Sequence, residues 1–158
     1  MTAVLYAGSF DPITLGHVDV IQRASRVFDK VYVAISINTH KKATFTPERR
    51  AEFAKDALAD LDNVEVMISD ELTVELAKSL GTTVLLRGVR GSSDLDSEMA
   101  IAGLNEKLDS HIQTVFIPTA ADYRDLSSSM IKEIAKFHGD ISKFLPAKAA
   151  NALKNKYL

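Results

Sequence analysis

Short apolar runs rich in β-branched residues alternate with helical stretches along this chain, and few folds accept that order. Ala3 to Ala7 is an apolar run halted at Gly8. Val31 to Ile37 is almost wholly apolar, as a parallel strand covered on both faces requires. Val64 to Ile68, Thr83 to Leu86 and Thr114 to Ile117 repeat the pattern, the last stopped by Pro118. Helices lie between them. Val18, Ile21, Ala24 and Phe28 recur at helical spacing. Thr46-Pro47 starts a second helix with Phe53, Ala57, Leu58 and Leu61 as its stripe. Leu72 to Leu80 is a short helix ended by Gly81, and another runs from about Asp94 to Leu108. Ser128 to Phe137 and Pro146 to Tyr157 complete the set. This order predicts an α/β fold, a parallel sheet of five strands with helices on both faces and right-handed crossovers. The 158 residues read as one domain, 1–158, without repeat or linker.

Composition narrows the function classes. A 46% hydrophobic and 25% charged content is ordinary for a soluble globular chain. A formal net charge of −2 argues against a general nucleic-acid coat, but not against a local basic pocket. The chain has no cysteine, which removes disulfides and thiolate metal sites. Met1 to Tyr6 reads as a first strand, not a signal peptide, and no stretch approaches the ~18 apolar residues that span a bilayer. The expectation is a cytoplasmic protein with neither membrane nor nucleic-acid partner.

In a sheet of this kind, ligands bind beyond the carboxyl ends of the strands. The loops there hold the polar residues that stand out. Gly8 to His17 joins a strand to a helix, yet contains neither Gly-x-Gly-x-x-Gly nor Gly-Lys-Ser/Thr. It offers Ser9 and a Thr14-x-Gly16-His17 cluster at a helix start, where free N–H groups and the dipole favour an anion. Gly8 and Gly16 as plain turn residues, with His17 as a cap, is the bland alternative. Asn38-Thr39-His40-Lys41-Lys42 follows the second strand, either as a solvated basic loop or as a lysine brought to an anionic substrate. Arg87-Gly88-Val89-Arg90 leaves an apolar strand, where arginine forks suit phosphate. Ser127-Ser128-Ser129 precedes a helix and serves as a cap or a phosphate cradle. Glu98 alone reads as a solvated helix residue. The remaining histidines have no ligand spacing, so no protein-held metal cage is expected.

Taken in order, these motifs resemble the phosphopantetheine adenylyltransferase family over essentially the whole chain. The marks are Tyr6 to His17, Lys41, Arg87 to Arg90, Ser127 to Ser129, and Gly139-Asp140-x-x-x-Phe144-Leu145-Pro146. The resemblance implies a Rossmann-like fold, ATP and 4′-phosphopantetheine as substrates, Mg²⁺, and a homohexamer built as a dimer of trimers. It implies that Ser9, Phe10 and His17 contact ATP, together with Gly88, Val89, Arg90, Glu98, and Tyr123, Arg124, Asp125, Leu126, Ser127, Ser128 and Ser129. It implies that Ser9, Lys41 and Arg87 hold the acceptor phosphate, and that Leu72, Thr73 and Asn105 line the pantetheine arm. His17, Lys41 and Arg90 are the residues expected to carry catalysis. The chain departs from many members at Ser9, usually threonine, and at Tyr123, in some members tryptophan.

No nucleophile–base pair stands out, and the implied reaction needs none. A phosphate dianion attacks the α-phosphorus of ATP directly, leaving catalysis to positioning and charge stabilisation. Two alternatives stay open: another adenylyl- or cytidylyltransferase of the superfamily acting on nicotinate mononucleotide or a phosphoalcohol, and a nucleotide-sensing module without turnover.

Overall fold

Strand β1, Ala3–Gly8, is the centre about which the chain winds. The computed structural model describes residues 1–37 and 42–158. Helix α1, Leu15–Val27, returns the chain to β2, Lys30–Ser36, and α2, Pro47–Ala57, carries it on to β3, Val64–Ser69. After α3, Thr73–Ser79, it crosses to the other side of β1 as β4, Val84–Val89. Helix α4, Ser92–Leu108, leads to β5, Gln113–Pro118. A 3₁₀ turn at Ala121–Tyr123, then α5, Ser128–Lys136, and α6, Ala147–Lys156, complete the fold.

The sheet order is β3-β2-β1-β4-β5, and every pairing is parallel. The α/β, five-stranded, Rossmann-like expectation therefore holds. Alternation along β1 sends Val4 and Tyr6 to one face and Leu5 to the other. The first face packs on α1, α2, α5 and α6 through residues such as Ile21, Phe53, Ile131 and Leu153. The second packs on α3 through Val74, Leu76 and Ala77, with Ile112 beside them. Winding direction reverses between β1 and β4, so a crevice opens at their carboxyl ends.

Several element ends shift from the pattern-based reading: α2 ends at Ala57, before Leu58 and Leu61, β5 takes in Pro118, and two further shifts bear on the site. Strand β4 does not stop at Leu86. Arg87, Gly88 and Val89 continue it, paired with Phe116, Ile117 and Pro118. Arginine and glycine are weak strand formers, and the ladder to β5 overrides that preference. Helix α4 begins at Ser92, two residues before Asp94. Among the described residues, no helix is long and apolar enough to cross a membrane.

Candidate active site

The crevice between β1 and β4 is a polar cleft lined by Tyr6, Thr14, Gly16, His17, Val20, Arg87, Gly88, Arg90, Asp94, Glu98, Thr119, Leu126, Ser127 and Ser128. Three of the four loops singled out above meet there. The fourth, Asn38 to Lys41, lies outside the described residues, and with it Lys41.

His17 is held by the helix it opens. The Thr14 hydroxyl accepts the His17 backbone N–H at 3.2 Å, and the Thr14 backbone N–H donates to His17 Nδ1 at 3.0 Å. This reciprocal cap has histidine where glutamate or glutamine is usual. Because Nδ1 accepts, the proton of the neutral ring sits on Nε2, leaving that N–H as the donor. Burial, then the charges of Arg87 and Arg90, lower the His17 pKa to about 4. The ring therefore enters the cleft as a neutral donor. Phe10 lies beneath it, centroids 4.9 Å apart and edge-on, and Tyr6 stacks edge-on to Phe10 in turn. Phe10 is buried with its ring in the core, so its side chain is not open to a ligand. His17 caps α1 through one nitrogen and lines the cleft with its ring.

The helix N-terminus is less open to an anion than its sequence suggests. The His17 amide is taken by Thr14, and the Leu15 amide donates to the Phe144 carbonyl at 2.9 Å. That second bond gives the Gly139 to Pro146 segment its structural purpose.

Arg87 leaves β4 with its fork already engaged. Nε and Nη2 donate to the two oxygens of Glu98 at 2.7 and 2.9 Å, and Nη1 donates to the Ala7 carbonyl at 2.6 Å. Burial pulls its pKa down, but the hydrogen bonds to Glu98 and the neighbouring Tyr6 leave it raised overall. Burial pushes the Tyr6 phenol up. Glu98 is thus no solvated helix residue; it fixes Arg87. Gly88 is explained by space: a Cβ there would lie 3.0 Å from Val20 and 3.4 Å from the Tyr6 hydroxyl.

Arg90 bridges two walls. It pairs with Asp94 at 3.4 Å and donates to the Leu126 carbonyl at 3.2 Å. Asp94, which the sequence reading passed over, also accepts the Arg90 amide at 2.8 Å. Ser127 caps α5 by accepting the Met130 amide at 3.2 Å, while Ser127 and Ser128 both line the cleft. Ser9, Arg124, Asp125 and Ser129 are exposed around it, Val89 is half-buried at the end of β4, and the Tyr123 carbonyl approaches Gly16. Asp19 of α1 accepts the Ala120 amide at 2.9 Å and so ties down the loop after β5.

A second, less polar cleft is lined by Ala7, Thr73, Arg87, Ile101, Ala102 and Asn105 among others. It shares Arg87 with the first. Thr73 and Asn105 both line this cleft, and Leu72 is exposed at the start of α3.

The cytidylyltransferase-like family model matches residues 5–134. The phosphopantetheine adenylyltransferase of Lactobacillus acidophilus is 50% identical over 157 residues, covering 99% of this chain and 98% of that protein. The chain belongs to the phosphopantetheine adenylyltransferase family. The relative of that name from Methylococcus capsulatus is 44% identical, covering 97% of this chain and 94% of its own. Among solved structures, the Plasmodium falciparum nicotinic acid mononucleotide adenylyltransferase complexed with NaAD superposes with a TM-score of 0.72 at 18% identity, covering 99% of this chain and 95% of that one. At that identity the likeness speaks to the fold. The cleft at the β1–β4 crevice is thus the candidate active site of a family nucleotidyltransferase.

Proposed function

We propose that this protein transfers the adenylyl group of ATP to 4′-phosphopantetheine, giving dephospho-coenzyme A and pyrophosphate. One observation carries the reading: a phosphate-suited cleft and a less polar cleft meet at Arg87. The first suits the triphosphate through Arg90, Ser127 and Ser128. The second suits an extended, mostly neutral arm whose phosphate lies at the shared arginine.

An oxygen of the acceptor phosphate attacks the α-phosphorus in line. The bond from that phosphorus to the β-bridging oxygen breaks, and pyrophosphate leaves with the electron pair. The nucleophile is already anionic, so no protein base is required. His17 donates Nε2–H to an α-phosphoryl oxygen as charge builds there. Arg87 and Lys41 orient the acceptor phosphate, with Lys41 assigned by the family motif. Arg90 and the Ser127 to Ser129 loop hold the outgoing phosphates, and Ser9 stands where the two substrates meet.

Mg²⁺ fits this site as the counter-ion of ATP. The two carboxylates lining the cleft, Asp94 and Glu98, are each committed to an arginine. Among the described residues, no group of three or more His, Asp or Glu converges on a metal position. In this proposal MgATP is the substrate form, and the ion would supply charge neutralisation on the phosphates. The protein works in the cytoplasm as a homohexamer in this proposal.

A panel of acceptors tests the assignment. With ATP and Mg²⁺, pyrophosphate release is expected with 4′-phosphopantetheine and not with nicotinate mononucleotide or glycerol phosphate. Release with another acceptor alone points to a sister enzyme, and ATP binding without release points to a nucleotide sensor.

A further inference from the structure

Arg50 of α2 is 3% exposed, in the layer beneath the active-site loops. Its guanidinium donates to three carbonyls on three segments. Nη1 reaches Ser9 at 2.8 Å and Ser36 at 3.2 Å, and Nε reaches Phe45 at 3.1 Å. Ser9 is the bend after β1, Ser36 ends β2, and Phe45 leads into α2. All three acceptors are neutral, and none of the ion pairs among the described residues includes Arg50. A buried cation without a carboxylate partner is costly, and an apolar side chain could fill the same volume without that cost.

Asp11 faces the same peptide from the other side. It is 6% exposed and accepts the Thr44 and Phe45 amides at 2.7 and 3.0 Å. Lys132 of α5 reaches its Oδ2 at 3.3 Å. The Thr44–Phe45 segment is thus gripped at its N–H groups by Asp11 and at its carbonyl by Arg50. Between the two gripping points lies Phe10, at φ 44, in the left-handed region that a bulky side chain rarely enters. The Ser9 carbonyl held by Arg50 belongs to the peptide leading into that residue. The Phe10 ring in turn supports His17. A guanidinium can span three carbonyls in one plane; an ammonium cannot.

We propose that Arg50, acting with Asp11, is a positioning residue that clamps the Ser9–Phe10 bend to the end of β2 and thereby sets the alignment of the two reacting phosphates. The proposal rests on the adenylyl-transfer reading. Arg50 is buried and does not line the polar cleft. Its effect is on the reacting geometry, because the residues suited to the nucleotide, Arg90, Ser127 and Ser128, make no hydrogen bond to Arg50 among the described residues.

Arg50→Lys and Asp11→Asn test it, with wild type alongside. Each is assayed for kcat and for KM of ATP and of 4′-phosphopantetheine, normalised to the fraction of molecules that bind ATP. Misplacement on the order of 1 Å predicts kcat lower by about 100-fold in Arg50→Lys, with the KM for ATP within about three-fold. Asp11→Asn, which keeps one acceptor oxygen, is expected to fall by about 10-fold in the same pattern. Full turnover per ATP-binding molecule in Arg50→Lys overturns the proposal. So does loss of turnover only in proportion to lost ATP binding in both variants, since that marks a purely structural role. A wild-type protein silent toward phosphopantetheine overturns the functional reading instead, a result distinct from an active wild type with an equally active Arg50→Lys.

Discussion

His17 has two nitrogens with separate duties, and most of the site's chemistry follows from that division. Nδ1 accepts the Thr14 amide, which fixes the tautomer and the ring's direction. Two nearby guanidiniums and burial keep the ring uncharged down to about pH 4. NMR titration of the imidazole should therefore show a neutral ring at pH 5, and Arg90→Gln should raise the midpoint by removing a positive charge. The stability consequence has a definite sign. The folded pKa lies below the ordinary imidazole value of 6.5, so below that pH the unfolded chain takes up the proton more readily. The contribution is complete above about pH 6.5 and is lost as pH falls toward about 4. In the proposed reaction, His17→Ala removes a donor that acts as charge develops. Its kcat should fall by roughly 10²–10³, with ATP binding changed only a few-fold. Equal losses in binding and none in turnover contradict that role.

At the scale of elements, the site is made by ties between loops. Asp19 of α1 holds the Ala120 amide and so fixes the entry to the nucleotide wall. Asp19→Ala is expected to raise the KM for ATP by about ten-fold, near the low end of the worth of one charge-assisted hydrogen bond, and to leave the acceptor KM alone. Steady-state kinetics with each substrate varied in turn checks this; a rise confined to the acceptor contradicts it. Such ties are what periodicity cannot show. Strand and helix order was legible because β-branched runs and helical stripes are local signals. The end of β4 was not, because the pairing of Arg87 to Val89 with β5 is a long-range effect. Glu98 alone reads as solvated and Asp94 only as the start of a helix; Arg87 and Arg90 are what give the two carboxylates their places. Arg50 carried a usable signal that went unread: it lies four residues before buried Ala54 and three before Phe53, on the same helix face. The glycine-histidine loop, the arginine strand end and the serine cap were all placed at one sheet edge from sequence, because a parallel sheet gathers its carboxyl-end loops there.

At the scale of the whole molecule, α4 stands apart. It buries no residue in the protomer. Ile101, Leu104 and Leu108 recur at helical spacing and are 47%, 61% and 60% exposed. A monomer leaves this stripe in water, and the proposed homohexamer offers it cover. Leu104→Glu should therefore yield a species of lower mass than wild type in analytical ultracentrifugation, while an unchanged mass separates α4 from assembly. The stripe adjoins the less polar cleft through Ile101, so one helix would serve both the proposed assembly and the proposed acceptor site.

Adenylyl transfer to the acceptor phosphate fixes where the acceptor's oxygen goes. 4′-Phosphopantetheine labelled with ¹⁸O in its phosphate, turned over with unlabelled ATP and followed by mass spectrometry, reports it. The expected result is dephospho-coenzyme A retaining all of the label and pyrophosphate carrying none. Absence of product, or label in the pyrophosphate, contradicts attack by the acceptor phosphate on the α-phosphorus.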